Sequence, residues 1–331
     1  MQEDTSRHTT QKSSPVVTRY PGNPILSAGD VPYGPLLVFN IGVTRYQGKY
    51  VMAFRNDYGA GGQIDNQRTD IGLAFSDDGI HWQAREKPCF SLRDAEIERA
   101  YDPRLTVIDG RCYMCFAVDT KHGIRAGIAV TEDFERFEIL SLSLPDNRNV
   151  VLFPERIGGR YTRLDRPFPV YSRSGPEQFD IWISDSPDLR YWGNSALLLG
   201  AEKVAFANRK IGPGAPPVKT PQGWLTLFHA VDFDPSRGKN GWEERWQKRY
   251  TAGIMLLDLE DPRKIIGIAK EPLMVPEAEY EVSGGFRNNV IFPTGMVLED
   301  SGEVKIYYGA ADTVTCLATA DVEDLIRLCM K

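Results

Sequence analysis

One aspartate in this chain has the surroundings of a proton donor. Asp102 lies in YDPRLT, and the proline after it removes a backbone donor and stiffens the turn. A carboxyl can serve as a general acid near neutral pH once its pKa is lifted from about 3.9. At matching places in other parts of the chain stand Arg55, Arg148, Arg166 and Lys210, although the formal net charge is -6. Fixed cations gathered at one place are unfavourable unless an anion occupies them. Guanidinium forks also match phosphate oxygens bidentately. Two readings stay open for any single arginine: an anion ligand, or a structural bridge to a nearby aspartate. Arg104, two residues after Asp102, could form such a bridge inside the motif. Taken as a set, the four cations point to an anion site.

Hydrolysis of a glycosidic bond normally uses two carboxyl groups, one to protonate the leaving oxygen and one to activate water. Inorganic phosphate is already an anionic nucleophile, so it needs cations to hold it rather than a base. One acid with an arginine–lysine cluster therefore reads as phosphorolysis, with phosphate as co-substrate and no other cofactor. Other chemistries lack their residues. The histidines (His8, His81, His122, His229) show no HExxH and no paired metal spacing, so no metal is expected. There is no GxSxG elbow. The GAGG run at 59–62 has no GKS or GKT to complete a phosphate loop and reads as a flexible loop. Cys112 and Cys115 form a CxxC with no second pair for zinc. On a strand, residues three apart face opposite ways, so they read as two sheet thiols.

The elements that must position these residues repeat five times. Each copy has a glycine turn, a strand of aromatic and aliphatic residues, a second strand and an acidic turn, beginning at Gly48, Gly110, Gly159, Gly223 and Gly302. The acidic turns run, for example, from Asp77 to Trp82, Glu132 to Phe137 and Asp185 to Trp192. Strand repeats at this period predict an all-β, five-bladed β-propeller as one catalytic domain over 1–331. Before each glycine comes a polar residue and a short apolar run: FNIGVT at Asn40, YDPRLT at Asp102, RNVVLFPE at Arg148 and Asn149, RKIGPGAPPV at Arg209 and Lys210, and NNVIFPTGMV at Asn288 and Asn289. These are predicted to be the innermost strands, with the polar head at the channel mouth. A further set ends the next strand: Arg55, Asn56, Asp57, Asp119, Arg166, His229 and Asp312. Residues 1–20 read as a polar, flexible arm, and 320–331 (DVEDLIRLCMK) as a helical extension. No apolar run is long enough for a membrane span, and no basic excess points to nucleic acid. Five cysteines without a signal segment fit a cytoplasmic location.

Several segments together resemble the mannoside phosphorylases of glycoside hydrolase family 130 over nearly the whole chain. They are NPIL at 23–26, FNIGVTRYQGKYVMAFRND at 39–57, YDPRLT at 101–106, NVVLFPERIGGRYTRLDRP at 149–167, RKIGPGAPPV at 209–218 and IYYGAAD at 306–312. The resemblance implies a five-bladed propeller and inverting phosphorolysis of a β-mannoside to α-D-mannose 1-phosphate. It implies Asp102 as the single acid, passing its proton through the mannosyl 3-hydroxyl. It also implies phosphate ligands at Arg55, Arg148, Arg166 and Lys210 and mannose contacts at Asn40, Asp57 and Asp312; Arg104 is placed with the sugar contacts. Family hydrolases lack basic residues at the phosphate positions, which are basic here. Asp165 in LDRP and the charged insertion at 232–250 resemble the 4-O-β-D-mannosyl-D-glucose phosphorylase group. That insertion fits either a substrate lid or a subunit contact. Small-molecule substrates and a homo-oligomer are the expected partners. The alternatives are a mannooligosaccharide or mannosyl-N-acetylglucosamine phosphorylase, a β-mannoside hydrolase using Asp57, Asp119 or Asp312 as base, and a non-catalytic sugar-binding propeller.

Overall fold

Five antiparallel sheets stand around one axis in the computed structural model, which describes residues 11–60, 63–169, 178–238, 241–242 and 246–331. The chain begins with strand β1 (Thr18–Arg19). Blade 1 then runs outward through β2 (Leu37–Tyr46), β3 (Lys49–Ala60), β4 (Gln63–Ser76) and β5 (Gln83–Ala84). Blade 2 is β6 (Ile97–Ile108), β7 (Arg111–Thr120), β8 (Gly123–Thr131) and β9 (Glu138–Leu142). Blade 3 is β10 (Asn147–Leu152), β11 (Tyr161–Pro167), β12 (Ile181–Ser186) and β13 (Gly193–Leu199). Blade 4 is β14 (Lys210–Pro213) and β15 (Val218–Thr220) on β16 (Gly223–Phe233), then β17 (Lys248–Leu257) and β18 (Ile265–Ile268). Helix α1 (Glu279–Val282) precedes blade 5, which is β19 (Ile291–Leu298), β20 (Glu303–Ala310) and β21 (Val314–Asp321). Helix α2 (Val322–Cys329) follows, as the C-terminal pattern predicts.

The fold differs from the expected repeat at its outer rim. Each blade has a fourth strand, and these strands are short and share no sequence pattern. In blade 5 the fourth strand is β1 from the other end of the chain, pairing Thr18 with Thr319 and Arg19 with Ala318. The polar arm is thus not loose where it is described. Ser14 donates its amide to Leu273 at 2.9 Å, and Arg19 is tied to Glu281. Residues 1–10 lie outside the described residues, as do 61–62 of the GAGG run. Gly59 and Ala60 of that run are strand rather than loop.

Five apolar clusters fill the gaps between neighbouring blades, so the ring is held by sheet-on-sheet burial. Blades 3 and 4, for example, meet through Phe153 and Trp224, edge to face at 5.3 Å, with Leu164, Ile183 and Phe228 around them. Cys112 belongs to the cluster shared with blade 1 and Cys115 to that shared with blade 3, so the two thiols do face opposite ways. The acidic turns are structural. Asp78, Asp133, Asp188, Asp258 and Asp321 each accept two backbone amides two and three residues ahead, fixing the exit from the third strand. Among the described residues, no helix is long and apolar enough to cross a membrane.

Candidate active site

Four of the five inner strands share one bend, inside β2, β6 and β10 and just before β19. Asn40, Asp102, Asn149 and Asn289 have φ of 49°, 55°, 59° and 60°, in the left-handed region that Asn and Asp tolerate best among side-chain-bearing residues. The ladder slips at the first three of these places, between Phe39 and Gly42, Tyr101 and Arg104, and Arg148 and Val151. Such bulges re-aim a side chain. Here they gather side chains from several blades around Asp102. Blade 4 lacks this bend, and Gly212 on β14 is instead closely packed: a Cβ there would lie 2.4 Å from His229 Cε1 and 3.0 Å from Arg166 Cδ.

Asp102 is buried at 3% exposure. Its Oδ1 accepts from Asn40 Nδ2 at 2.9 Å and stands 3.4 Å from Arg55 Nη1. Its Oδ2 lies 3.6 Å from Arg148 Nη2 and makes no hydrogen bond. Burial alone would raise this carboxyl, but Arg55, Arg148, Arg104 and Asn40 together hold it below the ordinary value. At neutral pH Asp102 is therefore an anion in the free protein.

The four expected cations divide into two kinds. Arg55 is committed to a carboxylate: its Nε and Nη2 bind Asp57 at 2.9 and 2.7 Å, and its guanidinium lies 4.8 Å from the rings of both Phe39 and Tyr101. This realises the bridge reading for that arginine, because residues two apart on a strand share a face. Arg148, Arg166 and Lys210 are different. Arg166 and Lys210 have no carboxylate within 4.0 Å among the described residues, and Arg148 has only the long contact to Asp102. The Nε atoms of Arg148 and Arg166 are buried without a partner. Arg166 Nη1 meets His229 Nε2 at 3.3 Å. Burial, then Arg148, pulls Arg166 down to about 9. Burial, then Arg166, Lys248, Arg148 and Arg287, pulls Lys210 well below its usual range. His229 is likewise pushed well below its ordinary value by burial, Arg166 and Lys210, so it is neutral. Arg166 is buried and Arg148 and Lys210 are half-buried, so three neighbouring cationic side chains stand together with little carboxylate to offset them.

The other expected contacts occupy the same mouth. Asp312, with φ of 49°, binds Arg287 at 3.0 Å; burial raises its carboxyl and Arg287 opposes this. Asp119 is held by Arg99 at 2.7 Å and by the Tyr101 hydroxyl at 2.6 Å. Arg104, expected among the sugar contacts, lies directly under Asp102 with its Nη2 buried and without a hydrogen-bond partner. It is buried at 1% exposure, and its Nε and Nη1 donate to the carbonyls of Gly214 and Asp102 at 3.0 and 2.8 Å. It braces blade 2 against blade 4 beneath Asp102. Asp165 also points away, to Arg163 and Ser184 at 3.0 and 3.1 Å. Tyr101, Tyr250 and Arg287 were not singled out from the sequence. Tyr101 lay inside the quoted YDPRLT motif, and Tyr250 closes the insertion next to Lys210, at 5.3 Å from Nζ to ring.

The insertion folds back on its own chain. Trp246 stacks on Tyr250 at 5.5 Å and donates to the Asn288 carbonyl at 3.2 Å, while the Trp242 amide donates to Phe286 at 2.9 Å. Trp246 packs with Tyr250 of blade 4 and with Val290 and Phe292 at the start of blade 5; residues 239–240 and 243–245 lie outside the described residues.

The family model for β-1,4-mannooligosaccharide phosphorylase matches residues 8–331. The chain belongs to glycoside hydrolase family 130. Relatives that it matches in family 130 include several mannoside phosphorylases. The β-1,4-mannooligosaccharide phosphorylase of Ruminococcus albus is 34% identical over 327 residues, 94% of this chain and 90% of the relative. The 4-O-β-D-mannosyl-D-glucose phosphorylase of Bacteroides fragilis is 28% identical over 359 residues, 97% of this chain and 86% of the relative. The solved structure of β-1,2-mannobiose phosphorylase from Listeria innocua, in complex with β-1,2-mannobiose, matches with a TM-score of 0.79 at 28% identity, covering 95% of this chain and 99% of that one. These family 130 names span two linkages.

Proposed function

We propose that this family 130 enzyme is an inverting β-mannoside phosphorylase, with 4-O-β-D-mannosyl-D-glucose as substrate and α-D-mannose 1-phosphate and D-glucose as products. The observation that carries the reading is an imbalance of partners. Near the mouth, Asp57, Asp119 and Asp312 are each ion-paired, so none is free to activate water. Arg148, Arg166 and Lys210 lack a matched carboxylate, and Asp102 keeps a buried oxygen without a hydrogen bond. An acid with an anion socket suits phosphate as the nucleophile.

In this reading phosphate seats on Arg148, Arg166 and Lys210 with its charge near Asp102. That charge raises the Asp102 carboxyl and lets it hold a proton. The mannosyl ring lies between them, contacted by Asn40, Asp57 and Asp312, with Arg55 linking Asp57 to Asp102. A phosphate oxygen forms a bond to C1 from the face opposite the leaving sugar, and the C1–O4 bond breaks. The Asp102 proton passes through the mannosyl 3-hydroxyl to O4, releasing glucose. The cation cluster is preorganised, so it needs no rearrangement as charge moves.

The β-1,4 linkage rests on the description of the family model, and glucose as acceptor on the Bacteroides fragilis relative, whose match takes in 97% of this chain. Asp165 adds nothing to the acceptor reading, because its side chain faces Arg163. The reverse reaction tests the acceptor: α-mannose 1-phosphate is offered with glucose, mannose, N-acetylglucosamine or mannobiose. Glucose should be mannosylated at O4 with the highest kcat/KM. Faster use of mannose or mannobiose, or a β-1,2 product, would replace this substrate by an oligomannoside.

A further inference from the structure

The strand that closes the ring is far from the chemistry in sequence but near it in bonding. Arg19, on β1, uses Nε and Nη2 to grip Glu281 at 2.8 and 3.0 Å. Its Nη2 also donates to the Val275 carbonyl at 2.7 Å, and Nη1 donates to Glu277 at 3.2 Å. Glu281, on α1, is wholly buried. It accepts three further bonds, from the Tyr308 hydroxyl at 2.9 Å and the amides of Glu277 and Ala278 at 2.8 and 2.9 Å. A buried carboxylate gripped bidentately and otherwise satisfied is fixed in place.

From Glu281 the route to the mouth is one bond long. Its backbone carbonyl accepts from the Asn289 amide at 2.8 Å, and the Asn289 carbonyl accepts from the Tyr250 amide at 2.9 Å. Asn289 holds its φ of 60° at the head of β19, a conformation that persists where neighbours over-determine it. Between Glu281 and Asn289 the chain presents Arg287, which holds Asp312. The wall bearing Arg287, Asn289 and Asp312 therefore hangs from α1, and α1 from Arg19.

We infer that Arg19 is a positioning residue for the sugar side of the site, acting through Glu281, so that the N-terminal strand is a working part of the active centre as well as the closure of the ring. The inference rests on Asp312 as a sugar contact. It predicts an asymmetric defect, larger on the sugar side, because Arg148, Arg166 and Lys210 come from blades 3 and 4 and meet the clamp only where the Tyr250 ring lies 5.3 Å from Lys210 Nζ.

The test uses the full chain with Arg19→Met. An Arg19→Met/Glu281→Gln double variant is made alongside, so that no carboxylate is left buried without its partner if the single variant fails to fold. KM for the mannoside should rise about tenfold while phosphate affinity, by calorimetry, stays within about twofold. Arg19→Lys should restore part of the loss. Amide exchange in 279–289 should quicken while blades 1 to 3 are unchanged. A lower melting temperature with unchanged KM and exchange would make the bridge purely structural and overturn the inference. An equal loss of phosphate affinity would mean general loosening and would also overturn it. If the wild-type chain forms no mannose 1-phosphate, the functional reading fails, and the exchange measurement still decides whether the clamp holds the wall.

Discussion

Replacing Asp102 with asparagine should separate catalysis from anion binding. The substitution keeps the volume and an oxygen for Asn40, but it removes a negative charge 3.6 Å from Arg148 and 3.4 Å from Arg55. In the free protein that carboxylate competes with phosphate for the cations. A phosphate seated on Arg148 would carry its nearest charge about 6 Å from the carboxylate. At an effective dielectric of about 20, two unit charges at that spacing repel by about 3 kcal/mol. Relief of that repulsion corresponds to roughly a hundredfold in affinity. Turnover should fall by about 10²–10⁴, the usual contribution of a positioned acid, because an amide has no proton to give at this step. Titration calorimetry with inorganic phosphate, together with initial rates of mannose 1-phosphate formation, reads both effects. Tighter phosphate binding with lost turnover is the expected pair. Weaker phosphate binding would show that Asp102 organises the cations rather than opposing the anion. Turnover within about tenfold of wild type would move the acid elsewhere.

Three other outcomes follow from the same geometry. Phosphate at about a hundred times its Kd should stabilise the wild-type chain by about 2.7 kcal/mol, and Lys210→Met should lose that gain in a thermal melt while the phosphate-free variant melts no lower than wild type. Gly212→Ala should destabilise the fold by about 1–3 kcal/mol in urea and weaken phosphate, because the new methyl meets His229 and Arg166; an unchanged midpoint would refute the close packing. Because phosphate charge raises the Asp102 carboxyl, and the step needs its proton, the basic limb of kcat/KM for the mannoside should move to higher pH as phosphate goes from scarce to saturating. A limb that stays fixed would uncouple Asp102 from the socket.

Four of the inner strands were legible because a bend in or beside each demands particular residues. A left-handed bend at a bulge favours Asn or Asp, so Asn40, Asp102, Asn149 and Asn289 mark the channel in the sequence itself. The Gly turns and Asx turns recur for equally local reasons. The fourth strands left no such mark, since two to seven edge residues need no shared pattern. Closure by β1 was hidden because its partner, Thr319, is about 300 residues away and nothing local announces it. Within the site, charge type was readable but pairing was not. Arg55 and Asp57 sit two apart on one strand and bridge each other, a pairing that their spacing allows without selecting it from the other aspartates. By contrast, the partner of Asp312 is Arg287, on a loop whose position depends on α1 and Arg19. Asp165 shows the converse: a residue that distinguishes sequences can face the gap between blades and touch no site residue described.

The most direct test of the account is a pair of reactions followed by phosphorus and proton NMR, with mannosyl-glucose and enzyme, with and without inorganic phosphate. The account predicts equimolar α-mannose 1-phosphate and glucose in the first and no cleavage in the second. Release of free mannose at the same rate without phosphate would contradict it, because water would then be the nucleophile and the cation socket would have another purpose.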